Sequence, residues 1–166
     1  MDQDTLKSLQ APLKAKYKDA PEAAMITLRA EGKLGENVSC SVNTARAIAK
    51  AGLHPATGGS GADLCSGDML LEALVACAGV TLGAVATALG IAIGDAQLLA
   101  EGDLDFRGTL GVDKATPVGF QNIRLSIHAA DHLSQDQRAT LLKLTERYCV
   151  VYQTLKNPPK LSAGFA

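Results

Sequence analysis

A chain of 166 residues has room for one domain with a sizeable core, and 47% hydrophobic against 20% charged residues is the balance of a folded protein rather than a disordered one. The formal net charge of −1, with no run of basic residues, gives no general attraction to nucleic acid, so no DNA or RNA partner is expected. Met1-Asp-Gln-Asp-Thr has no basic segment leading into an apolar one, so no secretory signal is expected either.

Four cysteines, Cys40, Cys65, Cys77 and Cys149, then point to a reducing, cytoplasmic compartment and free thiols. None forms C-x-x-C, and no pair stands at zinc spacing from His54, His128 or His132, so neither a metal nor another cofactor is expected. Charge is unevenly spread. Between Ala51 and Phe106 there is no Lys or Arg, while Asp63, Asp68, Glu72, Asp95, Glu101, Asp103 and Asp105 are acidic. A cation needed near the middle of the chain must come from another segment or another subunit.

Leu6, Leu9, Leu13 and Tyr17 fall near helical spacing and predict an amphipathic helix over 4–18, with Pro12 limiting its regularity and Ala20-Pro21 ending it. Residues 25–30 and 38–42 read as strands joined by a turn over 31–36, and a short strand or turn follows over 45–49. The glycines and proline of 52–67 predict a loop.

Residues 68–90 are almost wholly apolar. Ser66 is placed to cap this helix, and Asp68 lies in its first turn, where the dipole favours a carboxylate. Its length matches the roughly 20 apolar residues of a membrane span. Glu72 within it, the lack of flanking Lys or Arg and the small side chains argue instead for the core of a soluble protein. Gly79 and Gly83 would let another backbone approach closely.

Beyond Gly94 the period changes. Leu104, Phe106 and Leu110 alternating with Asp103, Asp105 and Arg107 predict a strand, as do Ile123, Leu125 and Ile127 among polar neighbours, with 111–119 connecting the two. Ser134 and Gln137 form a capping box for a helix over 135–148. Cys149 either closes that helix or begins a second short one. Asn157-Pro-Pro159 stops the helical run, and a last strand is expected through Leu161. The order is strands, buried helix, strands, helix, which favours α+β with antiparallel pairing over a parallel sheet.

Two segments carry a resemblance. Asp68-Met-Leu-Leu-Glu-Ala-Leu-Val-Ala-Cys77-Ala-Gly-Val-Thr81-Leu resembles the central-helix signature of the OsmC/Ohr family, an ALxxC core followed by a small or polar residue. Cys149-Val-Val-Tyr-Gln-Thr-Leu155 is similar to its second-cysteine motif, usually CPVSxxL, and 102–108 with Gly119-Phe120 match the strand pair between them. The resemblance spans about Leu53 to Asn157. Val150 stands where the family has proline, and Tyr152 where it has a small polar residue.

The resemblance implies an OsmC-like domain over 1–166, with 1–20 as a helical extension, in an intertwined homodimer whose long buried helices pack centrally. It implies a thiol peroxidase acting on organic hydroperoxides in the oxidative stress response. Cys77 would be the peroxidatic cysteine and Cys149 the resolving one, with an external dithiol as reductant. Cys77 is too deep in its own helix to gain from that helix's dipole, and burial raises a thiol pKa, so a cation is needed. The family supplies an arginine from the N-terminal strands, for which Arg46 is the candidate with Arg29 behind it. Asp68 or Glu72 would hold it.

Ordinary roles compete. Free cysteine is among the most buried residue types, so packing suits Cys40, a plain loop position Cys65, and a solvated loop His54. Glu72, an ionisable group inside an apolar helix, requires a partner or a raised pKa if buried. Beside the peroxidase stand two other readings: a dimer of this type that binds a hydrophobic small molecule without turnover, and a membrane or purely structural protein.

Overall fold

The computed structural model describes residues 2–19, 31–35, 39–43, 48–94, 96–111, 113–129 and 132–165. It is α+β, and its described residues divide into two compact units, Lys16–Glu72 with Ala100–Arg124, and Met1–Ala15 with Ala73–Leu99 and Leu125–Ala166.

The first unit contains a four-stranded sheet in the order β1 (Glu31–Gly35), β2 (Ser39–Asn43), β3 (Ile48–Gly52) and β4 (Leu64–Cys65). β1 to β3 are antiparallel, pairing Glu31 with Asn43 and Cys40 with Ala51, while β4 runs parallel to β3. Residues 31–35, expected as a turn because of Gly32 and Gly35, are thus the first described strand. The strand expected over 25–30 lies outside the described residues, as do 44–47. Only Gly fits at the end of β3, because a Cβ at Gly52 would lie 2.9 Å from Asp63. Within the expected loop, His54 accepts the Ala56 N–H at 3.0 Å to cap a 3-10 turn, Pro55–Thr57, and its half-buried ring stacks on Phe106 at 4.9 Å. His54 is therefore a packed residue rather than a solvated one.

The strand expected over 103–110 is displaced. The strand is β5, Gln97–Asp103, followed by a helical turn, α3, at Phe106–Thr109. Asp105 causes the change: its carboxylate accepts the Arg107 N–H at 3.0 Å, an N-cap that competes with strand pairing. The inward positions of β5 are Leu98, Ala100 and Gly102, and with the last two small and the apolar Leu99 facing outward no alternation shows. Gly102 is required, since a Cβ there would lie 2.6 Å from Cδ1 of the Phe120 ring. β5 pairs with β6 (Asn122–His128), the strand read from the sequence. The Gln121 N–H donates to the Asp103 carbonyl at 2.9 Å, so the end of β5 meets the start of β6 as in a hairpin.

α1 (Gln3–Asp19) runs unbroken through Pro12, and Gln3 donates its side-chain amide to the Ala88 carbonyl at 2.9 Å. α2 spans Ser66–Leu89 and ends at Gly90, whose φ of +66° lets the Ile91 N–H return to the Ala86 carbonyl at 2.9 Å. Among the described residues it is the one helix long and apolar enough to cross a membrane. One face of it is buried, through Leu74, Ala78, Leu82, Val85 and Ala86. The other is open: Val80 is 76% exposed, and no atom lies within 4 Å of where a Gly83 Cβ would stand. The burial on every side expected of this helix is thus met on one face only within a single chain.

α4 (Gln135–Tyr148) opens on the predicted capping box, with the Gln137 N–H donating to Ser134 Oγ at 3.2 Å and the Ser134 N–H to Gln137 Oε1 at 3.0 Å. Leu82, Val85, Ala86, Leu133 and Leu141 form the core of this unit, flanked by Ile93, Leu98 and Ile127. Fully burying each Leu or Val contributes about 1.5–3 kcal/mol before conformational entropy is set against it. α5 covers Val150–Lys156, and 157–165 have no regular structure, so no strand forms at Leu161.

Candidate active site

α4 and α5 meet at a single residue. Cys149, extended at φ −73° and ψ 111°, donates its N–H to the Thr145 carbonyl at 2.9 Å, closing α4. Its carbonyl accepts the Gln153 N–H at 2.9 Å, and its sulfur accepts the Tyr152 N–H at 3.4 Å, opening α5. Both alternatives left open by the sequence are therefore true of one residue. Cys149 is 0% exposed.

The first N–H groups of a helix lack partners within it. The N–H of Tyr152 is satisfied by the Cys149 sulfur, and those of Val150 and Val151 lower the pKa of Cys77. Cys77 reaches them from α2. At 3.6 residues per turn it falls on the border between the buried face of Leu74, Ala78, Leu82 and Val85 and the exposed stripe of Ala73, Ala76, Val80 and Gly83. It is half-buried, and its titration is coupled to that of the Cys149 thiol.

The two thiols are shifted in opposite directions. Burial pushes Cys77 up, yet the Val151 N–H, the Cys149 thiol, the Val150 N–H and the Thr81 hydroxyl together outweigh it, and the net direction is down from the ordinary value of 9.0. Thr81 has one hydroxyl hydrogen, already donated to the Cys77 carbonyl at 2.8 Å, so its help to the sulfur is the smallest. Burial pushes Cys149 up as well, and the neighbouring Cys77 adds to this, so the Tyr152 N–H does not bring it back. Of the two, Cys77 is the thiol that gives up its proton first.

The α4–α5 junction is fastened from outside. Burial raises the pKa of the Tyr152 hydroxyl, as do the charge of Glu146 and the hydrogen bond to it, while Gln153 Nε2 donates to the Glu146 carbonyl at 2.7 Å. Lys156 lies over the Tyr152 ring at 5.7 Å. Tyr152, a departure from the family pattern, helps to anchor the junction.

Other residues singled out in the sequence stand elsewhere. Arg46 and Arg29 lie outside the described residues. Asp68 and Glu72 are both exposed in the single chain, so Glu72 is not the buried carboxylate its neighbours suggested. Cys65 is half-buried and ends β4. Cys40 pairs with Leu34 and Ala51 across the sheet. Three contributors escaped sequence reasoning. The N–H groups of Val150 and Val151 have no side-chain signature, although a helix starting just after Cys149 would have revealed them. The third is Thr145, one turn before Cys149 and 1% exposed, whose hydroxyl has no hydrogen-bond partner. Among the described residues, no group of three or more His, Cys, Asp or Glu is placed to hold a metal ion.

Residues 59–163 match the family described as OsmC-like protein, well over half of the chain. The chain belongs to this family. Solved structures agree with this OsmC-like fold. The OsmC like protein of Mycoplasma pneumoniae is 16% identical over 80% of this chain and 89% of its own, with a TM-score of 0.67. An organic hydroperoxide resistance protein OsmC from Legionella pneumophila is 20% identical over 81% and 92%, with a TM-score of 0.61. The organic hydroperoxide resistance protein OhrB of Bacillus subtilis is 17% identical over 81% and 94%, with a TM-score of 0.58. Identities this low establish a shared fold. No curated protein matches the chain.

Proposed function

We propose that this OsmC-like protein is a thiol peroxidase that reduces organic hydroperoxides in the oxidative stress response, with Cys77 as the peroxidatic and Cys149 as the resolving thiol. The observation that carries the reading is one contact: a half-buried thiol lowered in pKa against a fully buried thiol raised in pKa. The family, and the hydroperoxide resistance named for the Legionella and Bacillus proteins, support the peroxide-related part of it.

The Cys77 thiolate attacks one peroxide oxygen, forming an S–O bond while the O–O electrons leave with the alkoxide, which takes up a proton and departs as the alcohol. The Cys149 sulfur then attacks Cys77, the S–O bond breaks, and hydroxide leaves with the Cys149 proton as water. An external dithiol reduces the resulting disulfide. The condensation needs the two cysteines close at the outset, within an α-carbon separation of about 7 Å. Arg46, or Arg29 in its place, adds positive charge beside Cys77 and is oriented by Asp68 or Glu72. Arg46→Ala raises the pH at which Cys77 alkylates, and an unchanged profile removes Arg46 from the site. The protein works in the cytoplasm as a homodimer, a second copy covering the open face of α2.

Consumption of cumene hydroperoxide with a dithiol present tests the reading. Wild type turns over, Cys77→Ser consumes nothing, and Cys149→Ser completes one turnover before stalling. Wild type that consumes no hydroperoxide sinks it.

In that event a second reading takes over, the binding of a hydrophobic small molecule. A cavity of about 200 Å³ beside Leu82, Ile127, Leu133 and Leu141, with Arg138 in its wall, favours it.

A further inference from the structure

We propose that the external dithiol attacks the sulfur of Cys77, not that of Cys149, so that Cys149 is the leaving group. The inference rests on the Cys77–Cys149 disulfide of the peroxidase reading.

A disulfide offers two sulfurs, and the incoming thiolate must approach one of them in line with the bond, from the side away from the other. Electronic preference points to Cys149, because attack there expels Cys77, the more acidic thiol and the better leaving group. That preference grows only with the pKa difference between the two thiols and has to compete with access. Access points the other way and is all but absolute. Cys149 is 0% exposed. To reach it a thiol must open the α4–α5 junction, held by the Cys149 N–H on Thr145, the Gln153 N–H on Cys149 and Gln153 Nε2 on Glu146. Cys77 borders the exposed stripe of Ala73, Ala76 and Val80 and is only half-buried. Under the peroxidase reading a hydroperoxide reaches Cys77 in the homodimer, so a route to that sulfur remains open, whereas Cys149 has no surface even in the single chain. Access decides.

When the reductant thiolate bonds to Cys77, the Cys77–Cys149 bond breaks and its electron pair stays on the Cys149 sulfur. A fully buried thiolate is costly unless donors meet it. One is present at the leaving sulfur, the Tyr152 N–H at 3.4 Å. The second sulfur of the dithiol then attacks the first, closing the reductant's own disulfide and releasing Cys77 as the thiolate, while Cys149 takes up a proton.

The test does not depend on peroxide. The Cys77–Cys149 disulfide is made with diamide, and Cys40 and Cys65 are blocked with N-ethylmaleimide. The protein is then exposed briefly to 2-mercaptoethanol and quenched in acid, and the newly freed thiol is labelled with deuterated N-ethylmaleimide before peptide mapping. The proposal requires the mercaptoethanol adduct on Cys77 and the deuterated label on Cys149. An adduct on Cys149 overturns the proposal and leaves the peroxidase reading standing. Failure of diamide to join Cys77 and Cys149 overturns both.

Discussion

The thiol of Cys77, on the border of the buried face of α2, is coupled to that of Cys149 at the joint between α4 and α5, and the two are shifted oppositely in pKa. Part of what lowers Cys77 is the N–H of Val150, where the family motif carries a proline that has no N–H to give. The departure from the motif adds a donor.

Val150→Pro should therefore weaken Cys77 without disturbing the fold. Proline is favoured at the first position of a helix, and Cys149 before it is already extended. Because the folded pKa of Cys77 lies below the ordinary value, its thiolate persists on the acid side of a free thiol, and alkylation stays fast there. Losing the Val150 donor moves the midpoint of the alkylation profile upward and slows alkylation at neutral pH several-fold. Rapid alkylation of Val150→Pro with an unmoved midpoint would remove this donor from the account.

Gly102→Ala tests the packing of β5. Its Cβ would lie 2.6 Å from Cδ1 of Phe120, and an aromatic ring cannot fold aside as a flexible chain end can. Overpacking of this kind costs about 1–3 kcal/mol in chemical denaturation. Phe120→Leu in the same chain should return part of that loss. Simple additivity of the two changes would mean that the residues do not meet.

Leu141→Ala removes a side chain that is 3% exposed in the core with Leu82 and Val85. A loss of about 2–5 kcal/mol is expected from denaturant titration. A loss within the range of surface substitutions, about 0.5 kcal/mol, would place Leu141 outside the core.

The open face of α2 leads to the fourth expectation. Val80 is 76% exposed on a helix with no charged residue between Glu72 and Leu89. Sedimentation equilibrium at micromolar concentration should give a homodimer, with Val80→Asp shifted towards monomer. A wild-type monomer would contradict the covering of this face by a second copy.

Side-chain letters announced some of these features and hid others. The capping box of Ser134 and Gln137 and the alternation of Ile123, Leu125 and Ile127 are carried by side chains, so α4 and β6 were legible in the sequence. β5 was hidden because two of its three inward residues, Ala100 and Gly102, are small and Leu99 faces outward. The competing pattern over 103–110 failed because Asp105 prefers to cap a turn. β1 was read as a turn from glycines that antiparallel pairing tolerates. At the site, the two cysteines were legible through their motifs. The reason for the lowered pKa of Cys77 was not, because the backbone N–H groups of Val150 and Val151 belong to a helix start and not to any residue type. Thr145 was invisible for another reason: a threonine inside a helix signals nothing until its burial is known.

The most direct test of the account is to titrate free thiols before and after one equivalent of cumene hydroperoxide and to map the oxidised peptides. The account predicts the loss of two thiols per chain and a single intramolecular link between the peptides carrying Cys77 and Cys149. Four thiols still titratable afterwards, or a link from Cys77 to Cys65 in place of Cys149, would contradict it.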